Sequence, residues 1–482
     1  MLKLFGWGLV HISYALLPQS LDEPGAMKRK PDVIILAAGA GTRMCSSLPK
    51  VLHAVAGQTM IGHVLGAARG LKGRTLVVTA PGHDAVRAAV APSAVCVQKV
   101  ARGTGDAVRV GLKALGASTA PVIIAYGDMP CVTTALLRRT LAALPKKGAG
   151  LAVLGFHHDG ENAYGRLVLD ERGALERIVE ARDASPAERR ITLCNSGLMA
   201  ATSGKLLAKL LAKLTTDNAK GEFYLTDAVA IACARGIGCA AVAGPAEDVI
   251  GVNSRADQAV AEAIMQMRFR AKAMAAGATL IDPTTVYFSF DTRIGRDVVI
   301  GPNVWFGPGV TVADNVEIRP NCHIEGARIG KDCIIGPFAR LRPGARIGAG
   351  AHIGNFVEVK AARIARGAKI NHLSYVGDAV VGADTNIGAG TITCNYDGFA
   401  KHVTRIGAGV FIGSDVALVA PVSVGDGAVV GAGSVISDNV PKGALAVARG
   451  RQSNIKGAGT RYLARKQAAA KKKKRPVRKR KG

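Results

Sequence analysis

An aliphatic side chain returns at nearly every sixth position between residues 294 and 436. Glycine often follows it, as in Ile353-Gly354 and Ile412-Gly413, so each unit is typical of a short strand and a tight turn. An α-helix would need apolar returns every three or four residues, and a half-buried sheet would need them every two. The period therefore predicts a parallel β-helix of about eight coils, with roughly three units per coil and a continuous ladder of aliphatic side chains inside.

The repeat is interrupted once, between Ile387 and Ile406. A solenoid tolerates an insertion only as a loop on its surface, and surface loops often carry binding residues. We therefore expect a functional loop in this interval. The repeated aliphatic positions are called the ladder positions below.

Composition limits the classes of protein to which this chain can belong. At 482 residues it is too long for one hydrophobic core, so roughly two or three domains are expected. The formal charge is +28, but residues 461–482 hold twelve Lys and Arg and no acid, leaving +16 elsewhere. This run predicts a basic disordered tail over residues 451–482, with nucleic-acid contact as the weaker alternative. The nine cysteines form no C-x-x-C pair, which argues against disulfides or zinc and favours a reducing cytoplasm.

Residues 1–26 differ from the rest of the chain. The apolar run over residues 1–18 imitates a secretory signal, but His11 and Ser13 interrupt it and no small-residue cleavage site follows. The run is also too short to span a bilayer. Met27 precedes Lys-Arg-Lys and a strong strand, so we interpret residues 1–26 as a leader or a misassigned start.

Strand and helix patterns alternate from Asp32 onwards. The strand VIILAA leads into the glycine-rich turn at residues 39–41, where backbone N–H groups could approach phosphate oxygens. The alternation predicts an open parallel sheet covered by helices, with ligand at the carboxyl ends of the strands. Met44 replaces the third glycine of a dinucleotide fingerprint, which argues against an NAD site. The predicted spans are strands 75–79, 95–98 and 121–126 and helices 84–90 and 106–115.

Two runs resemble the signature of sugar nucleotidyltransferases: LAAGAGTRM at residues 36–44 and LPKVL at residues 48–52. With the hexapeptide repeat, they make the chain similar, from Met27 to about Gln452, to the family of bacterial bifunctional N-acetylglucosamine-1-phosphate uridylyltransferases and glucosamine-1-phosphate N-acetyltransferases. The resemblance implies an α/β nucleotidyltransferase (Rossmann-like) domain over residues 27–253, a helical linker arm over 254–282, and a left-handed parallel β-helix of hexapeptide repeats over 283–450.

Asp128 stands at the end of a predicted strand, where its carboxylate could hold a hard cation; a helix cap is the alternative reading. By resemblance, Asn253 is its partner, and the two residues hold Mg²⁺ against the α- and β-phosphates of UTP. Arg43 and Lys50 would offset negative charge as pyrophosphate leaves. The attacking sugar phosphate is already anionic at neutral pH, so positioning and electrostatics should dominate catalysis.

The same resemblance assigns the other contacts of this first site. Nucleotide or sugar contacts are Leu36, Ala37, Ala38, Gly39, Tyr126 and Gly127. Contacts at the uracil end are Gln98, Gly103 and Thr104, and contacts of the sugar are Gly165, Glu180 and Asn195.

The arm after this domain has a helical pattern. Ser254, with Asp257 three residues later, resembles a helix N-terminus. Val260, Ile264 and Met267 then repeat at helical spacing until a glycine can end the helix. We therefore predict one long helix with these apolar side chains as its packing face.

The β-helix carries polar residues where a mere scaffold would have aliphatic or small ones. Acyl transfer to an amine needs a base, because an ammonium ion has no lone pair with which to attack a thioester. His372 lies beside the ladder position Ile370, and the resemblance implies that it is the general base; a structural histidine is the alternative. We hypothesise that Glu358 orients either His372 or the amine.

The resemblance also assigns the ligand contacts of this second site. Arg342 and Lys360 would bind the sugar phosphate, and Tyr375 and Asn386 would hold sugar hydroxyls. Acetyl-CoA contacts would be Ala389, Asn395, Tyr396, Ser414, Ala432 and Arg449.

Together the two sites predict a cytoplasmic enzyme that acetylates glucosamine-1-phosphate and then couples the product to UTP, giving UDP-N-acetylglucosamine for cell-wall precursors. The resemblance implies a homotrimer with acetyl-transfer sites between neighbouring β-helices. One alternative is a nucleoside-diphosphate-sugar pyrophosphorylase whose β-helix is regulatory and non-catalytic. Others are a β-helical assembly subunit with a degenerate nucleotide domain, and a nucleic-acid binder that uses the basic tail.

Overall fold

The computed structural model describes residues 29–39, 41–116 and 118–473. They form two compact units, one reaching Ala275 and including Tyr287–Asp291, the other made of Ala276–Val286 and the residues from Thr292 onwards. The predicted leader over residues 1–26 lies outside the described residues.

The first unit is an α/β domain around a nine-stranded sheet. The strands of this unit are β1 (Asp32–Ala37), β2 (Ala54–Val55), β3 (Gln58–Thr59), β4 (Thr75–Thr79), β5 (Ala94–Val97), β6 (Val122–Tyr126), β7 (Gly150–His157), β8 (Arg166–Leu169), β9 (Leu175–Val179), β10 (Leu193–Ala201) and β11 (Gly238–Ala243). β2 and β3 pair with each other in a separate two-stranded sheet, and the other nine form the main sheet. Its helices are α1 (Met60–Arg69), α2 (Asp84–Val90), α3 (Thr104–Leu115), α4 (Thr134–Ala142), α5 (Gly204–Leu211), α6 (Asp227–Cys233) and α7 (Arg255–Ala275). β4 and α2 have the predicted bounds, and the other three predicted elements differ by one or two residues at an end.

The sheet is mixed rather than parallel throughout. Its order is β11, β7, β10, β6, β1, β4 and β5, with β8 and β9 attached beside β10. β6, β1, β4 and β5 run parallel, as the alternation predicts. β10 runs antiparallel to β6 and β7, so the predicted all-parallel sheet is wrong in that half. The chain reaches β10 from the β8–β9 hairpin, whereas a parallel return needs a long crossover connection.

The apolar run of β1 reflects burial on both faces. Val33 and Ile35 belong to the core shared with α1, α2 and α4. Ile34 and Leu36 belong to the core shared with α3, α5 and α6. A strand covered on both sides reads as a continuous hydrophobic run. Because helices cover both faces, the strand ends are where a ligand can approach the sheet.

The second unit is a parallel β-helix with three faces of stacked short strands. The first face holds β12 (Thr279–Leu280), β14 (Val299–Ile300), β17 (Glu317–Ile318), β20 (Ile334–Ile335), β23 (His352–Asn355), β26 (Lys369–His372), β29 (Asn386–Ile387), β32 (Phe411–Ile412), β35 (Val429–Val430) and β37 (Leu445–Ala446). The second holds β15 (Trp305–Phe306), β18 (His323–Ile324), β21 (Arg340–Leu341), β24 (Glu358–Lys360), β27 (Tyr375–Gly377), β30 (Ile392–Cys394), β33 (Ala417–Val419) and β36 (Val435–Ile436). The third holds β13 (Arg293–Ile294), β16 (Thr311–Val312), β19 (Arg328–Ile329), β22 (Arg346–Ile347), β25 (Arg363–Ile364), β28 (Ala379–Val381), β31 (Thr404–Ile406) and β34 (Val422–Val424).

The ladder positions form the core of this β-helix, as predicted. Those from Ile300 to Ile436 are all buried, and Ile294, in the first coil, is half-buried. Each ladder residue pairs with its equivalent one coil further on, as Ile353 does with Ile370. Full burial of one such side chain contributes about 1.5–3 kcal/mol, so the stacked ladder is the main source of stability of this unit.

Only part of the interval between Ile387 and Ile406 leaves the β-helix. β30 continues the second face, and Thr393 takes a ladder position with 1% exposure. Its hydroxyl accepts from Gly377 N at 2.8 Å and donates to Gly377 O at 3.0 Å, which removes the cost of burying it. The surface loop that the interruption predicts spans only residues 395–403, and Phe399 at its tip is 97% exposed.

α7 begins with the predicted capping arrangement. Asp257 N donates to Ser254 Oγ at 3.2 Å, and the Asp257 carboxylate accepts from Ser254 N at 2.9 Å. Two backbone N–H groups at the helix start are satisfied in this way.

The predicted packing face of α7 is wrong by one position. Val260 and Met267 are exposed, and Ile264 is only partly buried. The buried residues are instead Ala261, Met265 and Gln266, and the side-chain amide of Gln266 exchanges hydrogen bonds with the backbone of Phe288.

Part of the tail predicted to be disordered is helical. Residues Ala458–Lys473 form α8, and the side chains described along it are almost all exposed. The segment is rich in Ala, Lys and Arg, which are strong helix formers, whereas the prediction of disorder rested on the charge of the segment alone. Within the described part of the chain, no helix has both the length and the hydropathy needed to cross a bilayer.

We predict that the first unit loses stability as the pH falls because of His63. Burial lowers the pKa of this histidine, partly offset by its hydrogen bond to Val55 O and by Glu262. A histidine whose folded-state pKa lies below its unfolded value of about 6.5 stabilises the fold above that pH, and the contribution is lost as the pH falls. Urea unfolding at pH 7.5 and 5.5 should show a smaller pH difference for His63→Gln than for wild type. The control is His157→Gln at an exposed histidine; an equal change in both variants would contradict the prediction.

Candidate active sites

The carboxyl ends of β1 and β6 meet at one edge of the first unit's sheet. Leu36 pairs with Tyr126, and Gly127 N donates to Leu36 O at 2.9 Å. A Cβ on Gly127 would lie 3.2 Å from a Val51 methyl carbon, so the chains approach closely. The structure therefore brings together at this edge the predicted contacts Leu36, Ala37, Ala38, Gly39, Tyr126 and Gly127.

The glycine-rich turn packs directly against Lys50. Gly41 has a φ of 64°, and a Cβ on it would stand 2.5 Å from Lys50 Cβ. Glycine alone tolerates both this left-handed backbone and this approach.

Lys50 lies between the two residues predicted to hold a metal. Its Nζ forms an ion pair with Asp128 Oδ2 and donates to Asn253 Oδ1 at 3.0 Å. The side chains of Lys50 and Asp128 are only 12% and 16% exposed, so the pair is largely shielded from water. A carboxylate and an amide oxygen thus converge on one cation.

Asn253 is fixed through the backbone on either side of it. Val252 N donates to Asp128 O at 2.9 Å, which ties the segment to the end of β6. Asp257 in the cap of α7 accepts from Asn253 N at 2.9 Å. The start of α7 therefore positions the second oxygen donor of the site.

These two oxygens fit a magnesium ion only together with ligand oxygens. Magnesium prefers oxygen donors and is usually held by one or two protein groups plus phosphates and water. Asp128 and Asn253 supply such a pair, and Lys50 Nζ stands where the two converge. Among the described residues, no group of three or more His, Cys, Asp or Glu side chains could hold a metal on its own.

The predicted uracil contacts lie together at the start of α3. Gln98 is 6% exposed, and its amide donates to Gly103 O at 3.2 Å and to Asp106 Oδ2 at 2.9 Å. Thr104 Oγ1 accepts from Leu225 N at 3.1 Å. These bonds hold the loop before α3 in one conformation.

Tyr126 joins the nucleotide half of the site to the sugar half. Burial raises the pKa of its phenol, and the carboxylates of Glu180 and Asp128 raise it further. The phenol therefore stays protonated and can donate a hydrogen bond at any physiological pH.

The three predicted sugar contacts lie on or next to neighbouring strands: Gly165 directly precedes β8, Glu180 directly follows β9, and Asn195 is on β10. Asn195 N donates to Gly165 O at 2.8 Å, and Glu180 accepts from Thr226 Oγ1 at 3.0 Å. Glu180 and Arg43 line a common cavity of about 400 Å³. Arg43 is thus on the sugar side of the site.

His372 has its ring outside the β-helix, at the edge where the first face turns into the second. Its Nδ1 lies 2.6 Å from Oδ1 of Asn355, the residue paired with it one coil earlier. An amide oxygen only accepts hydrogen bonds, so Nδ1 carries the hydrogen and Nε2 keeps its lone pair. In this tautomer the imidazole can accept a proton through Nε2.

Glu358 pairs with two arginines of the same face. Its carboxylate accepts from Arg342 at 2.8 Å and forms a second ion pair with Arg340 at 3.5 Å. The hydrogen bond to Glu358 also raises the pKa of Arg342. Two cations on its own face therefore engage Glu358, and its hypothesised role in orienting His372 or the amine stays a prediction.

A polar cluster lies at the opposite edge of the second face. Lys360 Nζ is 3.8 Å from Asp378 Oδ2, and the Asn395 amide donates to the same carboxylate and to Tyr375 Oη at 3.4 Å. Asn395 is 8% exposed, whereas Tyr396 beside it is 60% exposed. The structure thus brings Lys360, Tyr375 and Asn395 together and leaves Tyr396 on the surface.

The remaining predicted acetyl-CoA contacts stack on successive coils. Ala389, Ser414 and Ala432 each lie two residues after a strand of the first face. The Arg449 guanidinium donates to Ala432 O at 2.7 Å, which places it on the same column. Asn386 begins β29, one coil after the strand that carries His372.

The predicted acetyl-transfer residues therefore fall into two groups. His372, Ala389, Ser414 and Ala432 lie at the edge between the first and second faces, whereas Lys360 ends one strand of the second face and Asn395 follows another, at its other edge. Tyr375, at the start of β27, lies on the face between them.

Three polar residues of these sites escaped the sequence reasoning. Asn355 lies one coil before His372, so counting back along the repeat would have found it. Asp257 was predicted as a cap but not as a support of Asn253. No sequence pattern marks Asp378, because its partners come from a different coil and from the loop.

Comparison with known proteins gives a consistent result. Residues 33–218 match the family model of the MobA-like NTP transferase domain. Residues 291–326, 326–361 and 404–438 match the model of the bacterial transferase hexapeptide (six repeats). The second match agrees with a left-handed β-helix, as predicted.

Individual relatives align along nearly the whole chain, and each is named "Bifunctional protein GlmU". The protein of Paramagnetospirillum magneticum is 56% identical over 445 residues, 92% of this chain and 98% of the relative. The protein of Rhodospirillum rubrum is 52% identical over 423 residues, 87% of this chain and 94% of the relative. The protein of Agrobacterium fabrum is 48% identical over 455 residues, 93% of this chain and all of the relative.

We predict that Gly41→Ala destabilises the first unit more than Gly82→Ala does. Both glycines have positive φ, but only at Gly41 would a Cβ collide with another residue. The left-handed backbone should cost about 1–2 kcal/mol in each variant. The collision with Lys50 should add at least about 1 kcal/mol, as overpacking does. Urea unfolding measures both, and equal losses would show that the loop relaxes without strain.

Proposed function

Because the chain belongs to the family of the bifunctional GlmU proteins, we propose that its two activities divide between its two compact units. The protein is an enzyme with uridylyltransferase and acetyltransferase activities. The first unit would transfer the uridylyl group of UTP to N-acetylglucosamine-1-phosphate, and the second would transfer the acetyl group of acetyl-CoA to glucosamine-1-phosphate. The observation that carries this division is the separate polar site in each unit, around Lys50 and around His372.

In uridylyl transfer, a phosphate oxygen of the sugar phosphate attacks the α-phosphorus of UTP, and the bond to the β-phosphate breaks to release pyrophosphate. Lys50, which already pairs with a carboxylate, would neutralise charge on the phosphates, and Arg43 would do so from the sugar side of the site. Asp128 and Asn253 would hold Mg²⁺, which would polarise the phosphates when bound. Gln98 and Thr104 would recognise the uracil end, and Gly165, Glu180 and Asn195 would orient the sugar.

In acetyl transfer, His372 Nε2 takes a proton from the ammonium group of glucosamine-1-phosphate. The amine then attacks the thioester carbonyl, and coenzyme A leaves as its thiol after receiving a proton. Asn355 keeps the imidazole in the tautomer that this step needs. If the β-helix had no catalytic function, the hydrogen bond between His372 and Asn355 would have no evident role.

Arg342, Lys360 and Lys401 form the basic side of the acetyl-transfer site. The ammonium of Lys360 lowers the pKa of Lys401, because two like charges lie close together. An anionic group between them would relieve this repulsion, so we place the sugar phosphate here. Tyr375 and Asn386 would contact its hydroxyls.

We further propose that the working enzyme is a homotrimer. The residues assigned to acetyl transfer occupy two edges of one β-helix, separated by the second face. A neighbouring copy could bring the edge that carries Lys360 and Asn395 against the edge that carries His372. All nine cysteines are free, which supports a reducing cytoplasm as the site of both reactions and of UDP-N-acetylglucosamine supply for cell-wall precursors.

We predict that Asp128→Ala and His372→Ala separate the two activities. Asp128→Ala should lower uridylyl transfer on the order of 10²-fold or more, since it removes both a metal ligand and the partner of Lys50. His372→Ala should lower acetyl transfer by about 10²–10⁴-fold, the usual effect of losing a general base.

Each variant is the control for the other. Assays with glucosamine-1-phosphate and acetyl-CoA, and with N-acetylglucosamine-1-phosphate, UTP and Mg²⁺, measure the reactions separately. Each variant should keep the activity of the unaltered unit within about twofold, because substitutions at sites that share no partners usually do not couple. Loss of both activities in one variant would argue against separate sites.

Asn355 is predicted to be a positioning residue for His372. Asn355→Ala should reduce kcat of acetyl transfer about tenfold, which corresponds to one hydrogen bond, and should leave KM nearly unchanged. Asn355→Asp keeps an acceptor for Nδ1–H, so it should retain most activity. Its negative charge should also move the acid limb of the pH–rate profile to higher pH. If the two variants lose activity equally and the profile does not move, Asn355 has only a structural role.

A further inference from the structure

A second large cavity in the first unit lies outside the site around Lys50. It has a volume of about 840 Å³ and is lined by the segment after β7 and the loop before β10. Four arginines line it, namely Arg166, Arg182, Arg189 and Arg190, against a single acidic residue, Glu161. The cavity is therefore strongly electropositive.

Arg166 at this cavity is a buried cation without a carboxylate partner. It is 2% exposed, and its guanidinium donates only to neutral oxygens: Asn162 Oδ1 at 2.8 Å, Tyr164 O, and Arg189 O at 3.3 Å. Its Nε has no hydrogen-bond partner. A buried charge of this kind is costly unless an opposite charge approaches it.

Other shielded charges in the same unit are paired differently. Asp32 is 4% exposed and accepts two hydrogen bonds from Arg74 at 2.8 Å. Arg268 forms an ion pair with Asp248 in which both side chains are less than a quarter exposed. Arg166, by contrast, takes part in no ion pair within the described part of the chain.

The remaining arginines of the cavity are also available to a ligand. Arg182 and Arg190 are exposed and form neither an ion pair nor a side-chain hydrogen bond within the residues described. Arg189 donates from Nε to Ala184 O at 3.1 Å and has no acidic partner there either. Four guanidinium groups thus line one space that has Glu161 as its single acidic lining residue.

We propose that this cavity binds a phosphorylated small molecule, a sugar phosphate or a nucleotide, at a site separate from the one at which uridylyl transfer occurs. One guanidinium group can donate two parallel hydrogen bonds to two oxygens of a phosphate, whereas an ammonium group binds phosphate as a point charge. The volume lies within the range of small-molecule sites, about 300–1,000 Å³, and exceeds what a lone inorganic ion would fill.

The cavity lies directly behind the predicted sugar contacts. Arg166 pairs with Cys194 across β8 and β10, and the adjacent residues Gly165 and Asn195 are the ones assigned to the sugar. Arg182 lines both this cavity and the smaller one that contains Glu180. A ligand in the larger cavity would therefore contact the strands that hold the sugar.

Isothermal titration calorimetry with inorganic tripolyphosphate tests the proposal on the full chain in the absence of Mg²⁺. Arg190→Glu reverses one charge of the cavity, and Arg172→Glu makes the same change at an exposed arginine outside it. Lys50→Met reports on binding at the uridylyl-transfer site instead. We expect Arg190→Glu to weaken tripolyphosphate binding at one class of sites at least tenfold, and Arg172→Glu to weaken it there less than threefold. Lys50→Met should leave binding at that class of sites intact.

Two outcomes would overturn the proposal. If Arg190→Glu and Arg172→Glu weaken tripolyphosphate binding equally, the effect is one of general charge and not of this cavity. If Lys50→Met abolishes all binding, every bound anion lies at the uridylyl-transfer site. Competition of the Arg190-sensitive binding by a sugar monophosphate or by a nucleotide would identify which of the two ligands the cavity takes; competition by neither would also overturn it. Uridylyl and acetyl transfer are assayed separately, so failure of this inference is distinct from failure of the proposed function.

Discussion

The aliphatic ladder of the β-helix decides where its polar side chains stand. Each buried ladder residue fixes its strand in register with the coil before it, and a slip by one residue would turn the aliphatic side chain outward. Asn355 and His372 each lie two residues beyond a ladder residue, Ile353 and Ile370, and those two pair across the coils. The hydrogen bond that sets the imidazole tautomer is therefore a consequence of core packing, because the core alone aligns the two residues.

In the first unit, the geometry of neighbouring parallel strands plays the corresponding role. β1 and β6 end at the same edge, so the glycine turn after one strand meets the carboxylate after the other. Lys50 fills the space between them and joins Asp128 to Asn253, far along the chain. An ion pair this well shielded contributes little net stability, since desolvation opposes the Coulomb attraction. It does keep the lysine and both oxygens pre-positioned where phosphates would bind, which matters more for charge stabilisation than for folding.

The sequence predicted these features to the extent that a repeating or local signal encodes them. The period of six identified the ladder from Ile300 to Ile436, and the capping pattern identified the start of α7. Features that depend on tertiary contacts were missed: the antiparallel β10, the buried Ala261 face and the threonine at ladder position 393. The site residues carried over by resemblance do gather into groups, but Asn355 and Asp378 act through neighbouring coils and have no signature of their own.

Lys50 and Arg166 differ in the oxygen atoms that surround their charges. Lys50 already has a carboxylate partner, so an incoming phosphate has to compete with Asp128 for it, and binding there exchanges one anion for another. Arg166 has only neutral oxygens around it, so an arriving anion displaces nothing and relieves an existing electrostatic cost. A ligand that binds only the folded state stabilises that state by a free energy that grows with the logarithm of its concentration divided by its Kd. An anion at Arg166 should therefore stabilise the first unit even when it takes no part in catalysis, whereas an anion at Lys50 should do so less, because breaking the ion pair offsets part of the gain.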